Sequence, residues 1–226
     1  MFNILLQADS AGVTTAMVSS SSESAWGVLA KGGIIMIPLM ALLATSIYFF
    51  IERLIAIKKA SKIDDNFMNI IRDHIVTGNI TAARSIAKNT NNPVGRIVDK
   101  GIQRIGKPID AIEKSMDNVG VLEMYNMEKN LSILSIISRI APLFGFLGTI
   151  IGMLSLFKGI ASTSEYTPNT IADGIYIKMI TSATGLIIGI LTYMGFSYLH
   201  AQIRKVENKM DAASAEFVDI LQEPTK

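Results

Sequence analysis

Hydroxyl side chains within two long apolar stretches are the groups of this chain best suited to chemistry. Thr149 lies in one uncharged stretch, and Thr181 and Ser182 lie in another. A hydroxyl both donates and accepts hydrogen bonds, so these side chains could line a hydrated path or bind a carboxylate. Neither stretch contains Asp or Glu, the groups that an intramembrane proton relay ordinarily uses. Any proton chemistry at these hydroxyls therefore needs a carboxylate from a partner.

Small residues accompany the hydroxyls at helical spacing. Gly148 with Gly152 and Gly185 with Gly189 form GxxxG pairs, and Gly145 extends the first series by three residues. Small residues let helix backbones approach closely in a bilayer, where lipid tails are as apolar as leucine. Helix packing alone and a pore-lining role both explain these glycines. For Thr149 and Ser182 we favour the hydrated path or carboxylate contact over packing alone.

Three uncharged stretches have the length of membrane spans. They cover residues 32–51, 140–157 and 179–199, which are 20, 18 and 21 residues long, and about 20 residues cross the hydrocarbon core. Half of the residues are apolar, yet 18% are charged, so a substantial part must face water. Cys is absent, which excludes disulfides and thiolate chemistry. The sequence predicts an all-α membrane protein with three transmembrane helices and long cytoplasmic helical extensions.

Lysine and arginine predict the topology, because cytoplasmic loops carry the excess of positive charge. Residues 52–139 and 200–226 hold most of the basic residues near the span ends and are placed in the cytoplasm. Residues 158–178, a loop followed by the start of a helix, are placed in the periplasm. Residues 1–31 lack a secretory signal pattern and are expected to remain as a periplasmic N-terminal segment. The C-terminus is then cytoplasmic.

The cytoplasmic region is predicted to be helical, with breaks at Gly78, at Asn91 to Pro93 and at Gly106 to Pro108. From Ile109 the apolar pattern predicts one unbroken helix that runs into the second span. A helix whose apolar residues repeat every seven positions along one face is predicted to continue from the third span, and we call this apolar face the seam. It comprises Phe196, Leu199, Ile203, Val206, Met210, Ala213, Phe217 and Ile220. This seam is equally compatible with packing on the same chain and with contact between subunits.

Residues Ala141 to Met153, APLFGFLGTIIGM, resemble the second-span signature of the ExbB/TolQ/MotA family of proton-driven motor subunits. The segment ITSATGL from Ile180 to Leu186 resembles the family's third-span segment. Pro142, Gly145, Gly148, Thr149 and Gly152 together make the resemblance specific, and the order and orientation of three spans match the ExbB and TolQ branch. Most of residues 26–221 is covered.

The resemblance implies a pentameric ring in the bacterial inner membrane, whose second and third spans line a central pore. A single-span partner of the ExbD or TolR type would supply the aspartate that accepts the proton, and a TonB-type protein would receive the work. Thr149 and Ser182 then occupy the family's pore-lining hydroxyl positions. Threonine is usual in the family at the position of Ser182, and Thr181 and Thr184 lie within one turn of it as possible substitutes. Pro142, Gly145, Gly148, Gly152, Gly185 and Gly189 would pack the helices around the pore.

This sequence departs from the family's pattern at the outer end of the third span. A glutamate common in the family five residues before the third-span hydroxyl is replaced by Ile177, beside Lys178. This inverts the local charge and leaves open how the ion enters and whether it is a proton or sodium. Arg139 and Lys178 are interpreted as residues that reach lipid phosphates, with pore gating as the alternative for Arg139. The neighbouring Glu52 and Arg53 are interpreted as a surface ion pair.

Several functions are compared on the same residues. No nucleophile, metal cluster or phosphate loop is recognised, so an enzyme is not expected, and His74 and His200 are isolated. No cofactor or nucleic acid is expected. The favoured function is an ExbB-like subunit that energises TonB-dependent outer-membrane transport. A TolQ-like subunit for envelope maintenance and a non-conducting scaffold are the alternatives.

Overall fold

Every regular element in the described part of the chain is an α-helix. The computed structural model describes residues 33–62, 64, 66–162 and 168–223. Its helices are α1 Met36–Ala60, α2 Phe67–Val76, α3 Ile80–Asn89, α4 Pro93–Ile102, α5 Ile109–Glu128, α6 Leu131–Ser162 and α7 Pro168–Gln222. The all-α prediction is confirmed. The predicted N-terminal segment 1–31 lies outside the described residues.

Three helices are long and apolar enough to cross a membrane, as predicted. They are α1, α6 and the part of α7 from Gly174 to Gln222. Residues 140–157 lie inside α6 and residues 179–199 lie inside α7, while α1 begins four residues after the predicted start at residue 32. The segment predicted as an outer loop is helical at both ends, because α6 continues to Ser162 and α7 begins at Pro168.

Local caps explain the breaks between the short helices. The Asn79 side chain accepts a hydrogen bond from the backbone N–H of Ala82 at 3.2 Å and so begins α3. Asn92 accepts from the N–H of Gly95 at 2.7 Å, with Pro93 in the first turn of α4. Gly78 has a φ of 77° and Gly106 one of 91°, values that glycine adopts without steric cost. The predicted breaks are confirmed.

The unbroken helix predicted from Ile109 into the second span is wrong. α5 ends at Glu128, and α6 begins at Leu131. Lys129 has extended backbone angles, and Asn130 has a φ of 66°, in the left-handed region that Asn tolerates better than most residues. Apolar residues keep their helical spacing on both sides of this turn, so the pattern alone does not reveal the break.

The described residues divide into two compact units. Within the described residues, the larger unit consists of Met40–Leu143 and Leu186–Lys226, and the smaller unit of Phe144–Gly185 and the part of Met1–Leu39 from residue 33 onward. The larger unit holds a core built from the short helices together with parts of α1, α5, α6 and α7. Its buried residues include most of the predicted seam: Leu199, Ile203, Val206, Met210, Ala213 and Phe217. The seam therefore packs on its own chain, which resolves the two alternatives.

Phe217 is fully buried, and its ring depends on a glycine in α4. A Cβ on Gly101 would lie 2.5 Å from Phe217 Cε1 and 2.7 Å from Met116 Sδ. Because only glycine leaves that space, the α7 seam can approach α4 and α5 closely. The core of the larger unit is thus specified by complementary sizes and not only by apolar spacing.

We predict that Phe217→Ala destabilises the larger unit by about 3 to 5 kcal/mol, because it removes a buried ring and leaves a cavity. Chemical denaturation of the purified protein in a mild detergent, followed by circular dichroism, measures the change. Glu216→Ala is the matched control, since Glu216 is exposed on the same helix, and its effect should stay within about 0.5 kcal/mol. Equal effects of the two substitutions would contradict the assigned core.

Candidate functional site

In the smaller unit, α6 and α7 touch backbone to backbone at Gly145. A Cβ on Gly145 would lie 3.1 Å from the carbonyl oxygens of Thr181 and Ser182 and 3.2 Å from Gly185 Cα. Backbone atoms cannot rotate out of the way as a side chain can. The predicted packing role of Gly145 and Gly185 therefore has a specific geometric form, in which two glycines allow the helix axes to approach.

The next turn of α6 receives the side chain of Thr181. A Cβ on Gly148 would lie 2.6 Å from Thr181 Cγ2, and Thr181 is only 1% exposed. Gly148 thus leaves room for the Thr181 methyl group. One turn further, the aliphatic part of Lys178 lies against Gly152, so Lys178 covers that glycine with its methylene groups.

The side chains of Thr149 and Ser182 lie beside this contact and not inside it, although the backbone carbonyl of Ser182 is part of it. Both are partly exposed in the single chain. Thr149 follows Gly148 and is turned from it by about 100° around α6, and Ser182 bears the same relation to Thr181 on α7. Thr149 Oγ1 donates to the carbonyl oxygen of Phe146 at 2.6 Å. The structure therefore leaves these two hydroxyls accessible to another helix, while Thr181 is committed to packing.

The larger unit contains two further contacts between apolar helices. A Cβ on Gly189 would lie 2.6 Å from Pro142 Cγ and 2.9 Å from the carbonyl oxygen of Ser138. The hydroxyls of Ser46 and Thr192 form a buried hydrogen bond of 2.8 Å between α1 and α7. The sequence analysis did not identify Ser46 as a contact residue. In the sequence, the contact of Ser46 is indicated only by two adjacent hydroxyl residues, Thr45 and Ser46, within an apolar segment.

The ion pair just beyond the first apolar span is more buried than expected. Arg53 Nη2 lies 2.6 Å from Glu52 Oε1, and Arg53 Nη1 donates to the carbonyl oxygen of Asn126 at 3.3 Å. Arg53 is only 8% exposed, so the predicted surface pair is corrected to a partly buried one.

Arg139 interacts with its own helix. Its Nε donates to the carbonyl oxygen of Ser135 at 3.1 Å, and its Nη2 lies 2.8 Å from Ser135 Oγ. In the larger unit, His200 stacks on Phe196 with ring centroids 5.9 Å apart. Among the residues that the structure describes, no group of three His, Cys, Asp or Glu side chains is arranged to hold a metal ion.

Comparison with known proteins shows which family this chain belongs to. The model of the MotA/TolQ/ExbB proton channel family matches residues 89–212, which is more than half of the chain and includes both glycine-rich segments. This chain belongs to the MotA/TolQ/ExbB proton channel family. The resemblance found in the spans is therefore confirmed, and three apolar helices make this member a multi-pass membrane protein.

Relatives in this family include proteins of both the ExbB and TolQ types. The biopolymer transport protein ExbB homolog of Methanothermobacter thermautotrophicus is 27% identical over 172 residues, which cover 74% of this chain and 61% of that protein. Biopolymer transport protein exbB1 of Vibrio cholerae is 38% identical over 78 residues, or 34% of each chain. The Tol-Pal system protein TolQ of Pseudomonas aeruginosa is 22% identical over 213 residues, covering 88% of this chain and 92% of TolQ. This family member thus aligns with less than two thirds of the length of the first two relatives.

We predict that Gly145→Ala destabilises the contact between α6 and α7 by about 1 to 3 kcal/mol, because the added methyl group meets backbone atoms. Thermal unfolding of the protein in lipid nanodiscs measures the change. Gly120→Ala in α5 is the control. Its Cβ would meet only Ile97 Cδ1 at 3.6 Å, and the gain in helix propensity should leave stability unchanged or raise it by up to about 1 kcal/mol. Equal losses in both variants would contradict the close approach at Gly145.

The hydrogen bond between Ser46 and Thr192 gives a second prediction. Ser46→Ala and Thr192→Val should each cost about 0.6 kcal/mol and at most about 1.7 kcal/mol, the range measured for such bonds within membranes. The double variant should cost little more than either single variant, because both remove the same bond. Thr45→Val is the control, since Thr45 is exposed and donates only to the carbonyl of Ala41. Unfolding in mixed micelles measures the free energies of the two single variants and the double variant. If the loss in the double variant equals the sum of the two single losses, the two hydroxyls are not coupled.

Proposed function

We propose that this chain is the ring-forming subunit of a proton-driven motor in the bacterial inner membrane. In this proposal the hydroxyls of Thr149 and Ser182 bind the carboxylate of a single-span partner of the ExbD or TolR type. The observation that carries the proposal is the placement of both hydroxyls beside, and not within, the glycine contact of α6 and α7. Family membership and the lack of Asp and Glu in the three apolar stretches support it.

The partner's carboxylate would be held while it is ionised and released when a proton neutralises it. One charge that crosses 100 mV yields about 2.3 kcal/mol, whereas a hydrogen bond between membrane helices is worth about 0.6 to 1.7 kcal/mol. A proton therefore carries enough free energy to exchange one or two such contacts. Movement to the next subunit costs little more than that exchange, because identical subunits offer identical sites. A ring of five subunits, as the family resemblance implies, would convert successive protonations into rotation.

Thr181 has a different part in this proposal from the one the sequence allowed. Its contact with Gly148 makes it a positioning residue that fixes the register of α6 against α7. Pro142, Gly152 and Gly189 act in the same way at neighbouring turns. The N-terminus is proposed to be periplasmic and the C-terminus cytoplasmic, in agreement with the positive charges that flank the spans.

We propose that the work energises TonB-dependent outer-membrane transport, since two relatives named ExbB align at 27% and 38% identity, against 22% for TolQ of Pseudomonas aeruginosa. A TolQ-like role in envelope maintenance is the second candidate. It is favoured by one observation, the alignment with TolQ of Pseudomonas aeruginosa over 92% of that protein. Copurification with the single-span partner, followed by native mass spectrometry, identifies the partner and counts both subunits.

Thr149→Val and Ser182→Ala test the proposed site in the complex with the partner. Each substitution should lower proton-dependent energy transfer at least tenfold, because about 1.4 kcal/mol of carboxylate binding corresponds to a factor of ten. Dye-detected proton flux in proteoliposomes and TonB-dependent uptake in cells measure the effect. Thr45→Val, an exposed threonine on α1, should leave both readouts unchanged. Full activity of the Thr149 and Ser182 variants would favour the scaffold role instead.

A further inference from the structure

The larger unit has an acidic groove between α5 and α7. The groove has a volume of about 440 Å³, and Asp117, Glu128, Glu207 and Asp211 lie along it. An adjoining depression of about 350 Å³ shares Asp117 and Asp211 and adds Glu113 and Asp219. No Lys or Arg is among the residues that line either one. Within the described ranges, none of these six carboxylates forms an ion pair.

An exposed apolar strip borders the acidic groove. Val121, Leu122 and Tyr125 of α5 are 71%, 57% and 70% exposed, although they lie outside the three apolar stretches. Val121 also lines the groove, so the strip and the carboxylates share an edge. Large apolar side chains exposed next to charged groups are typical of a protein interaction surface.

The complementary charge lies on the same chain. Residues 67–107, which form α2 to α4 and the following turn, contain seven Lys and Arg but only two Asp. We define the basic face as the basic side chains of α3, α4 and that turn, apart from Arg96, which pairs with Glu123: Arg84, Lys88, Lys100, Arg104 and Lys107. Of these, only Arg84 has an ion pair among the described residues, with Asp99 at 3.4 Å.

The basic face does not cover the acidic groove of its own chain. α3 packs on α4, and α4 packs on α5, with Ile97 of α4 forming part of the groove wall. No residue of α3 and no basic residue of α4 or of the following turn lines the groove or the adjoining depression.

We infer that the acidic groove and apolar strip of one copy bind the basic face of a second copy. This contact uses two different surfaces, so it is heterologous and can repeat from copy to copy until a ring closes. The inference deepens the proposed function, on which it rests for the ring, by assigning the two contact surfaces outside the membrane. The second copy is favoured over another basic partner because this chain carries both complementary surfaces with their charges largely unpaired.

Cysteine crosslinking tests the geometry, and the absence of native Cys removes background reactions. Tyr125→Cys combined with Lys107→Cys should give a ladder of covalent dimers and higher oligomers in isolated membranes after mild oxidation. Tyr125→Cys combined with Asn69→Cys is the matched control, because Asn69 is exposed on α2, outside the basic face. A control ladder as strong as the first, or no ladder from the first pair, would overturn the inference.

Charge reversal tests the electrostatics. Asp117→Lys with Asp211→Lys, and separately Lys88→Glu with Arg104→Glu, should weaken subunit association about tenfold or more in native mass spectrometry at low salt. All four substitutions together should restore most of the association, because the charges are again opposite. Glu216→Lys on α7, which lines neither part of the acidic groove, should have no comparable effect. Absence of this rescue, or protection of the groove by a basic partner protein instead, would contradict docking of a second copy.

The two proposals fail in distinguishable ways. If the crosslinks are unspecific but substitutions at Thr149 and Ser182 still lower proton-dependent activity, the docking inference is wrong and the proposed motor function stands. If the crosslinks are specific but those substitutions leave activity unchanged, the proposed role of Thr149 and Ser182 is wrong and the docking inference stands.

Discussion

The backbone contact between α6 and α7 at Gly145 is the constraint on which the candidate site depends. Lipid offers no hydrophobic driving force for helix association, so close packing must supply it. Because a Cβ added at Gly145 would lie only 3.1 Å from two carbonyl oxygens, the register of the two helices has little freedom. That register sends Thr181 into the space beside Gly148 and leaves Thr149 and Ser182 at the sides of the contact. The position of Gly145 therefore determines which hydroxyls pack between α6 and α7 and which remain accessible.

The larger unit is stabilised by a different force. Its core gathers short amphipathic helices around the seam of α7, and burial of apolar area in water supplies the free energy. Here too a glycine sets the approach, since Gly101 admits the ring of Phe217. Charged groups add specificity at the rim, where Arg96 Nη2 lies 2.9 Å from Glu123 Oε2 and joins α4 to α5. The carboxyl of Glu123 is buried while Arg96 is half exposed, so Arg96 compensates a charge that would otherwise be costly to bury.

Features that depend on neighbouring residues could be predicted from the sequence. The spans follow from uncharged length, and the breaks near Gly78, Pro93 and Gly106 follow from backbone preference. Features that depend on distant residues could not. The turn at Asn130 interrupts a pattern that keeps its spacing, and the burial of Arg53 depends on a carbonyl 73 residues away. The partner of the α7 seam was left open because a seven-residue repeat describes one face of a helix and not what covers it.

For the proposed function, the hydrogen bond of Thr149 bears on how a partner's carboxylate would be exchanged between subunits. A threonine hydroxyl has one proton to donate, and in this structure Thr149 donates it to the carbonyl of Phe146 at 2.6 Å. Binding a carboxylate would require the hydroxyl to give up that bond, so the net gain is the difference between a charge-assisted and a neutral hydrogen bond. When a proton neutralises the carboxylate, this difference shrinks and the bond to Phe146 can form again. A site that returns to an internally satisfied state binds its ligand only moderately, and moderate binding is what stepwise exchange among identical subunits requires.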